Sequence, residues 1–347
     1  MFAITVRRHA TISRFFSAVC DESRCSMLGK PPFRRLGGPM AWSERPITPD
    51  TEGSQGVTVR PGRMKDVPGV WKLTEEVKWN KHQDMIETLF KMCENGWNIA
   101  EKDGDVVGCY LSHEFDSGLK TAGHFIVSPK MQGRGVGAKL MSKYFEEFGD
   151  RNIYAGAISP LLDTYEKYSG APLSKGDTGG NYYGVFKNIP LPPDMEQKYH
   201  LIDFRHVDMS DLIGYDTSYH VVPRPEMLKI WLGQTTAKSL VLLEKGKIAG
   251  YGSIRPAMNG FYLGPLYAEN TVGTMVLLKG LIDLIPRDSS VDFFLPHSNE
   301  AGREILKANE STIGLYDTFH KFATKSYIPV PKWNNVFALL SNECALC

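Results

Sequence analysis

The sequence predicts an α/β protein made of two similar domains in tandem, each with a mixed, mostly antiparallel sheet flanked by helices. Three observations lead to this fold class. Strand-like segments alternate with amphipathic helical segments, two Gly- and Pro-rich stretches interrupt the alternation, and the two long segments share one order of elements. The length of 347 residues fits two domains of about 150 residues each.

Composition excludes several classes of protein. Hydrophobic residues make up 42% and charged residues 23% of the chain, as in proteins with a full core. A net charge of +1 argues against a nucleic-acid partner, and no run of 18 apolar residues predicts a transmembrane segment. Six cysteines without regular spacing argue against a disulfide framework, and the nine histidines show no ligand spacing, so we expect no metal site.

Residues 1–56 are predicted to form a disordered basic region. The first 50 residues hold eight Lys and Arg against four Asp and Glu, and the first 20 hold three Arg and no acid. Arginines beside apolar residues without acids are typical of a mitochondrial presequence, whereas a plain basic tail would leave the protein in the cytoplasm. Residues 29–56 are rich in Gly, Pro, Ser and Thr without periodicity, which predicts a linker.

A second Pro-rich stretch, residues 188–198, predicts an extended linker between an N-terminal domain at 57–187 and a C-terminal domain at 199–347. Both domains contain a strand, a Gly turn and a second strand that carries a glycine, which is a hairpin pattern. The matching glycines, Gly108 and Gly250, are 142 positions apart. The shared order of elements favours a duplication.

The elements of the first domain follow from local patterns. Val136, Leu140, Tyr144 and Phe148 recur every four residues and predict a helix that faces the core. Helices are predicted over Lys65–Val77, His82–Cys93, Gly135–Phe148 and Asp163–Tyr168. Strands are predicted over Val57–Arg60, the hairpin from Ala100 to Ser112, Thr121–Val127, Asn152–Ala157 and Tyr182–Phe186.

The most informative stretch joins one of these strands to the main helix. The strand-like run ends at Val127, and Gly133, Gly135 and Gly137 open the helix. Glycines let the backbone approach a ligand closely, and a helix N-terminus favours phosphate groups. Residues 117–145 contain five Lys and Arg and no acid. The pattern predicts that main-chain amides bind an anionic cofactor.

Two familiar nucleotide-binding loops do not fit this stretch. The spacing is GxGxG rather than the GxGxxG of dinucleotide-binding folds, and the next strand ends without an acid. The Gly-Lys-Ser/Thr of a P-loop is absent from it. The stretch must therefore belong to another class of anion-binding loop.

Residues 132–137, Gln-Gly-Arg-Gly-Val-Gly after the strand HFIV, resemble the Gln/Arg-x-x-Gly-x-Gly/Ala motif of the GNAT N-acetyltransferase superfamily. The resemblance covers residues 57–187, and LVLLEKGKIAGYGSIRPAMNGFYLGPLYAEN with VDFFLPHSNEAGREIL resembles the divergent YitH-type acetyltransferase domain. It implies two GNAT (acyl-CoA N-acyltransferase) folds in tandem, with acetyl-CoA as co-substrate. The implied cofactor-binding residues are Ile126, Val127, Gln132, Gly133, Arg134, Gly135, Val136, Gly137 and Ala138.

The resemblance also implies catalytic residues. Tyr165, within Tyr-Glu-Lys, matches the family's acid for the departing thiolate, and Tyr168 is the alternative. The candidate bases are Glu114 and His124, on strands that flank the acceptor cleft in this fold. His113 and Glu114 point to opposite faces of their strand, so only one can face the substrate. A chain of water molecules also fits the family.

The second domain departs from the motif. Residues 271–274 read Thr-Val-Gly-Thr, with one glycine where the first domain has three, and Leu306 stands where the acid Tyr would be. In the first domain, Ser159 takes the place of the family's Asn. We therefore expect one active centre. The second domain would shape the acceptor cleft or support the first domain, with Arg255, Tyr262 and Tyr267 as candidate contacts or structural residues.

The function implied is an acetyl-CoA-dependent N-acetyltransferase that acts on a small-molecule amine or an amino acid. Two alternatives stay open: an amino-acid N-acyltransferase that uses longer acyl-CoA, and a non-catalytic acyl-CoA-binding protein. The two domains could pack as a pseudo-dimer, so monomer and homodimer both fit. The last four residues, Cys-Ala-Leu-Cys, resemble a prenylation box without the usual basic cluster, and we do not expect it to be used.

Overall fold

A computed structural model describes residues 2–3, 52–149, 151–169 and 172–343. The predicted presequence, except for its residues 2–3, most of the predicted disordered region and the C-terminal Cys-Ala-Leu-Cys lie outside the described residues. Phe2–Ala3 form a short strand, β1. Just before the first domain, Glu52–Ser54 form a turn of 3-10 helix.

Apart from β7, the elements of the first half begin and end within a few residues of their predicted bounds. Its helices are α1 Val67–Glu76, α2 Gln83–Met92, α3 Val136–Phe148 and α4 Leu162–Ser169. Its strands are β2 Thr58–Pro61, β3 Trp97–Lys102, β4 Asp105–Glu114, β5 Lys120–Val127, β6 Ile153–Ile158 and β7 Ser174–Gly184.

Strand β7 differs from its prediction because it begins eight residues before the predicted Tyr182 and ends at Gly184. The glycines in this segment would favour a loop, but in the structure two of them leave space for aromatic rings. A Cβ on Gly176 would lie 2.2 Å from the ring of Tyr327, and one on Gly179 would lie 2.3 Å from the ring of Phe294. Packing against residues far away in the chain therefore decides this element.

The second half repeats the order of elements. The segment 188–198 leads into it and contains a turn of 3-10 helix at Met195–Gln197. Its helices are α5 Met209–Thr217, α6 Pro225–Leu232, α7 Thr271–Asp283 and α8 Glu300–Ala308. Its strands are β8 Tyr199–Asp203, β9 Lys238–Glu244, β10 Lys247–Pro256, β11 Phe261–Ala268, β12 Val291–Pro296, β13 Ile313–Ala323 and β14 Val336–Ala338.

The hairpin glycines occupy equivalent places in the two halves. Gly108 of β4 pairs with Val127, the last residue of β5. Gly250 of β10 pairs with Ala268, the last residue of β11. In both halves, the hairpin glycine pairs with the last residue of the following strand, and this shared register supports the duplication inferred from the sequence.

The strands of the two halves join in one mixed sheet, in the order β2-β3-β4-β5-β6-β13-β7-β12-β11-β10-β9-β8. Strand β13, from the second half, pairs with β6, while β7, from the first half, pairs with β12. Each half thus lends one strand to the edge of the other. The tandem α/β fold is confirmed, and the exchange places second-half residues beside the first half's site.

Candidate active site

The loop between β5 and α3 is held by its own side chain. The amide Nε2 of Gln132 donates a hydrogen bond to the carbonyl of Val127, at 3.1 Å, which ties the loop to the end of β5. Gly133 and Gly135 have φ of 74° and 86°, a backbone conformation that disfavours other residues. Two of the three predicted glycines are therefore required by the loop itself.

The N-terminus of α3 is open. Gly135 is the N-cap and offers no side chain, so no side-chain hydrogen bond caps the helix. The first amides of a helix have no carbonyl partner within it and attract anions. A Cβ on Gly137 would meet only Val127 Cγ2 within 4 Å, at 3.7 Å, so there is room at this position, whereas Gly53 of the preceding 3-10 turn packs against Arg134. The uncapped first turn, with small Gly137 and Ala138 and the positive charge of Arg134 just before it, has the chemistry that suits a pyrophosphate.

The equivalent helix of the second half is closed. Asn270 is the N-cap of α7, and its Oδ1 accepts a hydrogen bond from the amide of Gly273 at 2.9 Å. The preceding residue, Glu269, brings a carboxylate that pairs with Lys332 at 3.0 Å. A side-chain cap and a negative charge therefore take the place that an anionic ligand would need.

A gap between strands accompanies each of these helices. Strands β5 and β6 pair in parallel only at Lys120 and Thr121 and then separate, and β1 pairs with β5 at Phe125 and Ile126. In the second half, β11 and β12 likewise share two pairs, but β14 then pairs with β11 through Leu266 and Tyr267. The second half's gap is therefore occupied by the chain's own C-terminal strand.

A small, partly open cleft lies where β5 and β6 begin to separate. The first half contributes Thr121 and Ala122 of β5 and Tyr154 of β6. The second half contributes Phe319 and Lys321 of β13 and, from the C-terminal segment, Leu339, Ser341, Asn342 and Glu343. Both halves therefore build its walls.

His124 lies in a bulge of β5, where residues 124 and 125 face one residue of β4. Its φ of 51° is rare for a residue other than glycine, and such strain is often found at functional sites. The ring is fully buried, packs edge-on against Trp79 and Trp97, and has no hydrogen-bond partner at either nitrogen among the described residues. Burial lowers the pKa of His124 to about 3, so the imidazole is neutral at pH 7.

Tyr165 lies on α4 and is 5% exposed. Its ring stacks on Phe322 of the exchanged strand β13, with ring centroids 5.7 Å apart. Nearby, the hydroxyl of Ser159 lies 2.8 Å from Nε2 of His320, also on β13. The second half therefore packs directly against the residues that the family resemblance assigns to the cofactor arm and the acid.

Glu114 has a different environment. It lies at the surface, at the opposite end of β5 from the loop, and its carboxylate forms ion pairs with Lys120 and Arg151, both at 2.9 Å. These partners, the Lys120 hydrogen bond above all, lower the pKa of Glu114. The structure does not bring Glu114 to His124 or Tyr165. Within the described ranges, no three metal-ligating side chains come together, and no helix is long and apolar enough to cross a membrane.

Two residues of the site were missed at the level of sequence. Lys81, in the loop between α1 and α2, forms a buried ion pair with Glu343, at 2.7 Å. Glu343 Oε1 lies 3.9 Å from His124 Nδ1. The sequence carries no motif at either residue. The two residues are 262 positions apart, so no local sequence pattern links them.

Each half of the chain matches a known protein family. Residues 68–167 match the Acetyltransferase (GNAT) family, and residues 212–313 match an Acetyltransferase (GNAT) domain. The chain is 22% identical to holothin acyltransferase of Pseudoalteromonas sp. (strain SANK 73390) over 267 residues, which is 76% of this chain and 86% of that protein.

Solved structures share the fold over about four fifths of the chain. A putative acetyltransferase from Pyrococcus horikoshii superposes with a TM-score of 0.66 at 15% identity, over 84% of this chain and 96% of that one. A tandem GNAT protein from the clavulanic acid biosynthesis pathway superposes with a TM-score of 0.55 at 14% identity, over 78% of this chain and 100% of that one. This chain is a member of the GNAT superfamily, an acyltransferase with two GNAT domains in tandem.

Proposed function

We propose that the chain is an N-acetyltransferase with one active site, in its first half, that transfers the acetyl group of acetyl-CoA to the amine of a small molecule. The observation that carries the proposal is the N-terminus of α3, which no side chain caps, beside the β5–β6 gap, where only the two-residue strand β1 pairs with β5 among the described residues. The second half has the same elements with the helix capped by Asn270 and the gap filled by β14.

Acetyl-CoA supplies the acetyl group as an activated thioester. The first-turn amides of α3, from Val136 to Ala138, suit its pyrophosphate, with the positive charge of Arg134 at the mouth. The edge of β5 at Phe125 and Ile126 pairs with a backbone, that of β1, and can equally pair with the amide groups of a pantetheine arm. A main-chain amide near Ile126 and Val127 would then polarise the thioester carbonyl.

The remaining chemistry is proton transfer. The acceptor must lose a proton before its nitrogen bonds to the carbonyl carbon, and the sulfur must gain one as the carbon–sulfur bond breaks. Tyr165 is placed on the helix after β6 and would donate the proton to sulfur, a contribution of about 10²–10⁴-fold in rate. For the base, His124 lies nearer the β5–β6 gap than the surface residue Glu114, but its pKa of about 3 makes it a weak proton acceptor. A chain of water molecules is therefore the better candidate, with His124 as the alternative.

A small-molecule acceptor is supported by the cleft. The cleft is small and lies between the two halves, which favours a small amine or an amino acid over a folded protein. The Pseudoalteromonas relative is named as an acyltransferase of holothin, which supports acyl transfer as the reaction. A longer acyl group, and acyl-CoA binding without transfer, are the alternatives that an experiment must separate.

The experiment is calorimetric titration with acetyl-CoA and hexanoyl-CoA. Gly137→Asp fits the fold, since the space is open and an acid favours a helix N-terminus, but its carboxylate repels pyrophosphate. Thr271→Asp is the matched control in the first turn of α7. We expect binding that Gly137→Asp abolishes and Thr271→Asp retains, followed by thiol release when amines are added. Tighter binding of hexanoyl-CoA would favour the longer acyl group. Binding without thiol release across a broad amine panel would favour the non-catalytic alternative, and no binding would refute the proposal.

A further inference from the structure

The C-terminal segment, residues 339–343, runs from the second half into the first. It follows β14, and its first carbonyl, that of Leu339, accepts a hydrogen bond from the hydroxyl of Tyr262 at 3.1 Å. Asn342 then donates to the side chain of Asn181 on β7, at 3.1 Å. The segment ends with Glu343 at Lys81 of the first half. It is therefore fixed at both ends and forms a wall of the cleft between β5 and β6.

Glu343 brings a carboxylate to that wall. Burial by itself raises the pKa of Glu343, but the surrounding positive charge, chiefly the Lys81 ammonium at 2.7 Å, lowers the pKa to about 2. The hydroxyl of Ser341 donates a further hydrogen bond to Oε2. His124 Nδ1 lies 3.9 Å from the carboxylate, and the buried groups Asp292 and Tyr262 also interact with it. The carboxylate is thus ionised and held in place.

The cleft is lined by few charged side chains and by many apolar ones. Glu343 is the one acid among the described residues that line it, and Lys321 is the one base, its ammonium 5.0 Å from the ring centre of Trp333. The other walls are largely apolar or aromatic, with Ala122, Phe319 and Leu339 among them. An ionised carboxylate can accept about four hydrogen bonds, and Lys81 and Ser341 supply two donors. Capacity therefore remains for a cationic donor that enters the cleft.

We propose that Glu343, supplied by the second half, binds the ammonium group of the acceptor, and that the preferred acceptor is a primary amine on a small apolar body. The inference rests on the proposed acyltransferase function, since it names the acceptor group that the cleft recognises. It also gives the second half a direct part in the reaction: its own cofactor gap is filled by β14, and the continuation of that strand completes the acceptor site of the first half.

The test uses two probes of similar shape, benzylamine and benzyl alcohol, with the full chain at pH 7. Benzylamine is cationic at that pH and benzyl alcohol is neutral, so only the first can form an ion pair with Glu343. We expect wild-type protein to bind benzylamine more tightly. In Glu343→Gln this preference falls tenfold or more while the affinity for benzyl alcohol stays within twofold, and Glu343→Asp keeps part of the preference. Glu300→Gln, on the exposed first residue of α8, is the charge-matched control and should change neither affinity.

Two further measurements separate the possible failures. Acetyl-CoA affinity should be unchanged in Glu343→Gln, and the KM for benzylamine should rise more than kcat falls, because the lost contact is a binding contact. If wild-type protein binds no acetyl-CoA, the proposed function fails and the acceptor role with it. If acetyl-CoA binds but the preference for benzylamine survives Glu343→Gln, only the present inference fails. Should Glu343→Gln not fold, Lys81→Met/Glu343→Gln removes both charges of the pair and gives the same comparison.

Discussion

Lys81 Nζ lies 2.7 Å from Glu343 Oε1, and this buried ion pair joins the loop between α1 and α2 to the C-terminal segment of the second half. The Glu343 side chain is 1% exposed and that of Lys81 12% exposed. A buried charge is costly without its partner, whereas removal of both charges costs much less. The pair therefore couples the two halves at the site.

The first prediction concerns this coupling. Lys81→Met should lower the free energy of unfolding by roughly 3–5 kcal/mol, because it leaves Glu343 buried and unpaired. Lys81→Met/Glu343→Gln should recover most of that loss. Urea unfolding of both variants measures the effect. Equal losses in the single and double variants would contradict the prediction, because removal of the Glu343 charge would then relieve nothing.

The second prediction is a pH dependence that His124 produces. Burial lowers the pKa of His124 to about 3 in the folded protein, against the ordinary value of 6.5, with Glu343 opposing the shift and Lys81 adding to it. Because the folded-state pKa is the lower one, the stability contribution is present above pH 6.5 and is lost as the pH falls toward 3. Between pH 6 and 4.5, His124→Gln should lose less stability than wild type, by roughly 1.4 kcal/mol per pH unit.

The control for that experiment is His200→Gln, since His200 is exposed. It should follow the wild-type curve of unfolding free energy against pH. His220 is also buried with a lowered pKa and is retained in every variant, so the comparison concerns the difference between the curves rather than their slopes. Parallel curves for His124→Gln and wild type would contradict the prediction.

The third prediction is that each chain binds one molecule of acetyl-CoA. Asn270 caps α7, and β14 occupies the edge of β11, so the second half offers neither an open helix N-terminus nor an open strand gap. Titration should give a stoichiometry of one, and Asn270→Gly, which removes the cap, should leave it at one because β14 is still in place. A stoichiometry of two would mean that β14 yields its position to the ligand.

Local sequence patterns predicted the parts of the site that depend on local chemistry. The glycine spacing located the loop, because Gly133 and Gly135 need positive φ and Gly137 leaves space over the helix. The four-residue period of α3 and the hairpin glycines located the main helix and the repeated register. In these cases, the residue type is dictated by its own backbone or by its near neighbours.

The exchanged strands and the C-terminal segment could not be predicted in this way. Strand pairing between β6 and β13 joins residues about 160 positions apart. The alternation of apolar and polar residues in one strand does not specify which other strand it pairs with. Strand β14 is three residues long and reads as an ordinary apolar segment. Glu343 likewise reads as a surface acid near the chain end. Only the three-dimensional packing shows that residues of β13 and of the C-terminal segment line a cleft beside β5 and β6.

The fourth prediction concerns Phe2–Ala3, which pair with β5 at Phe125 and Ile126 on the edge that we assign to the cofactor arm. One strand edge cannot form the same hydrogen bonds with two partners. A chain that starts at residue 45 should therefore bind acetyl-CoA more tightly than the full chain, with an increase of threefold or more. Calorimetry of both chains measures the difference. Equal affinities would mean that the dipeptide and acetyl-CoA do not compete.

The fifth prediction tests the acid. Tyr165→Phe removes only the hydroxyl, and the ring can keep its stacking on Phe322 of β13, so the fold and the affinity for acetyl-CoA should be unchanged. If Tyr165 protonates the leaving sulfur, kcat should fall by about 10²–10⁴-fold while the KM for the amine changes little.

The variant Tyr110→Phe is the matched control for Tyr165→Phe. The Tyr110 hydroxyl donates a hydrogen bond to the carboxylate of Glu147 on α3, at 2.8 Å, so its loss should affect packing rather than proton transfer. We expect Tyr110→Phe to keep kcat within a few-fold of wild type. Thiophenol-type leaving groups need no proton, so acetyl transfer from an aryl thioester should be slowed far less by Tyr165→Phe than transfer from acetyl-CoA. An equal loss with both donors would mean that Tyr165 shapes the site and does not act as its acid.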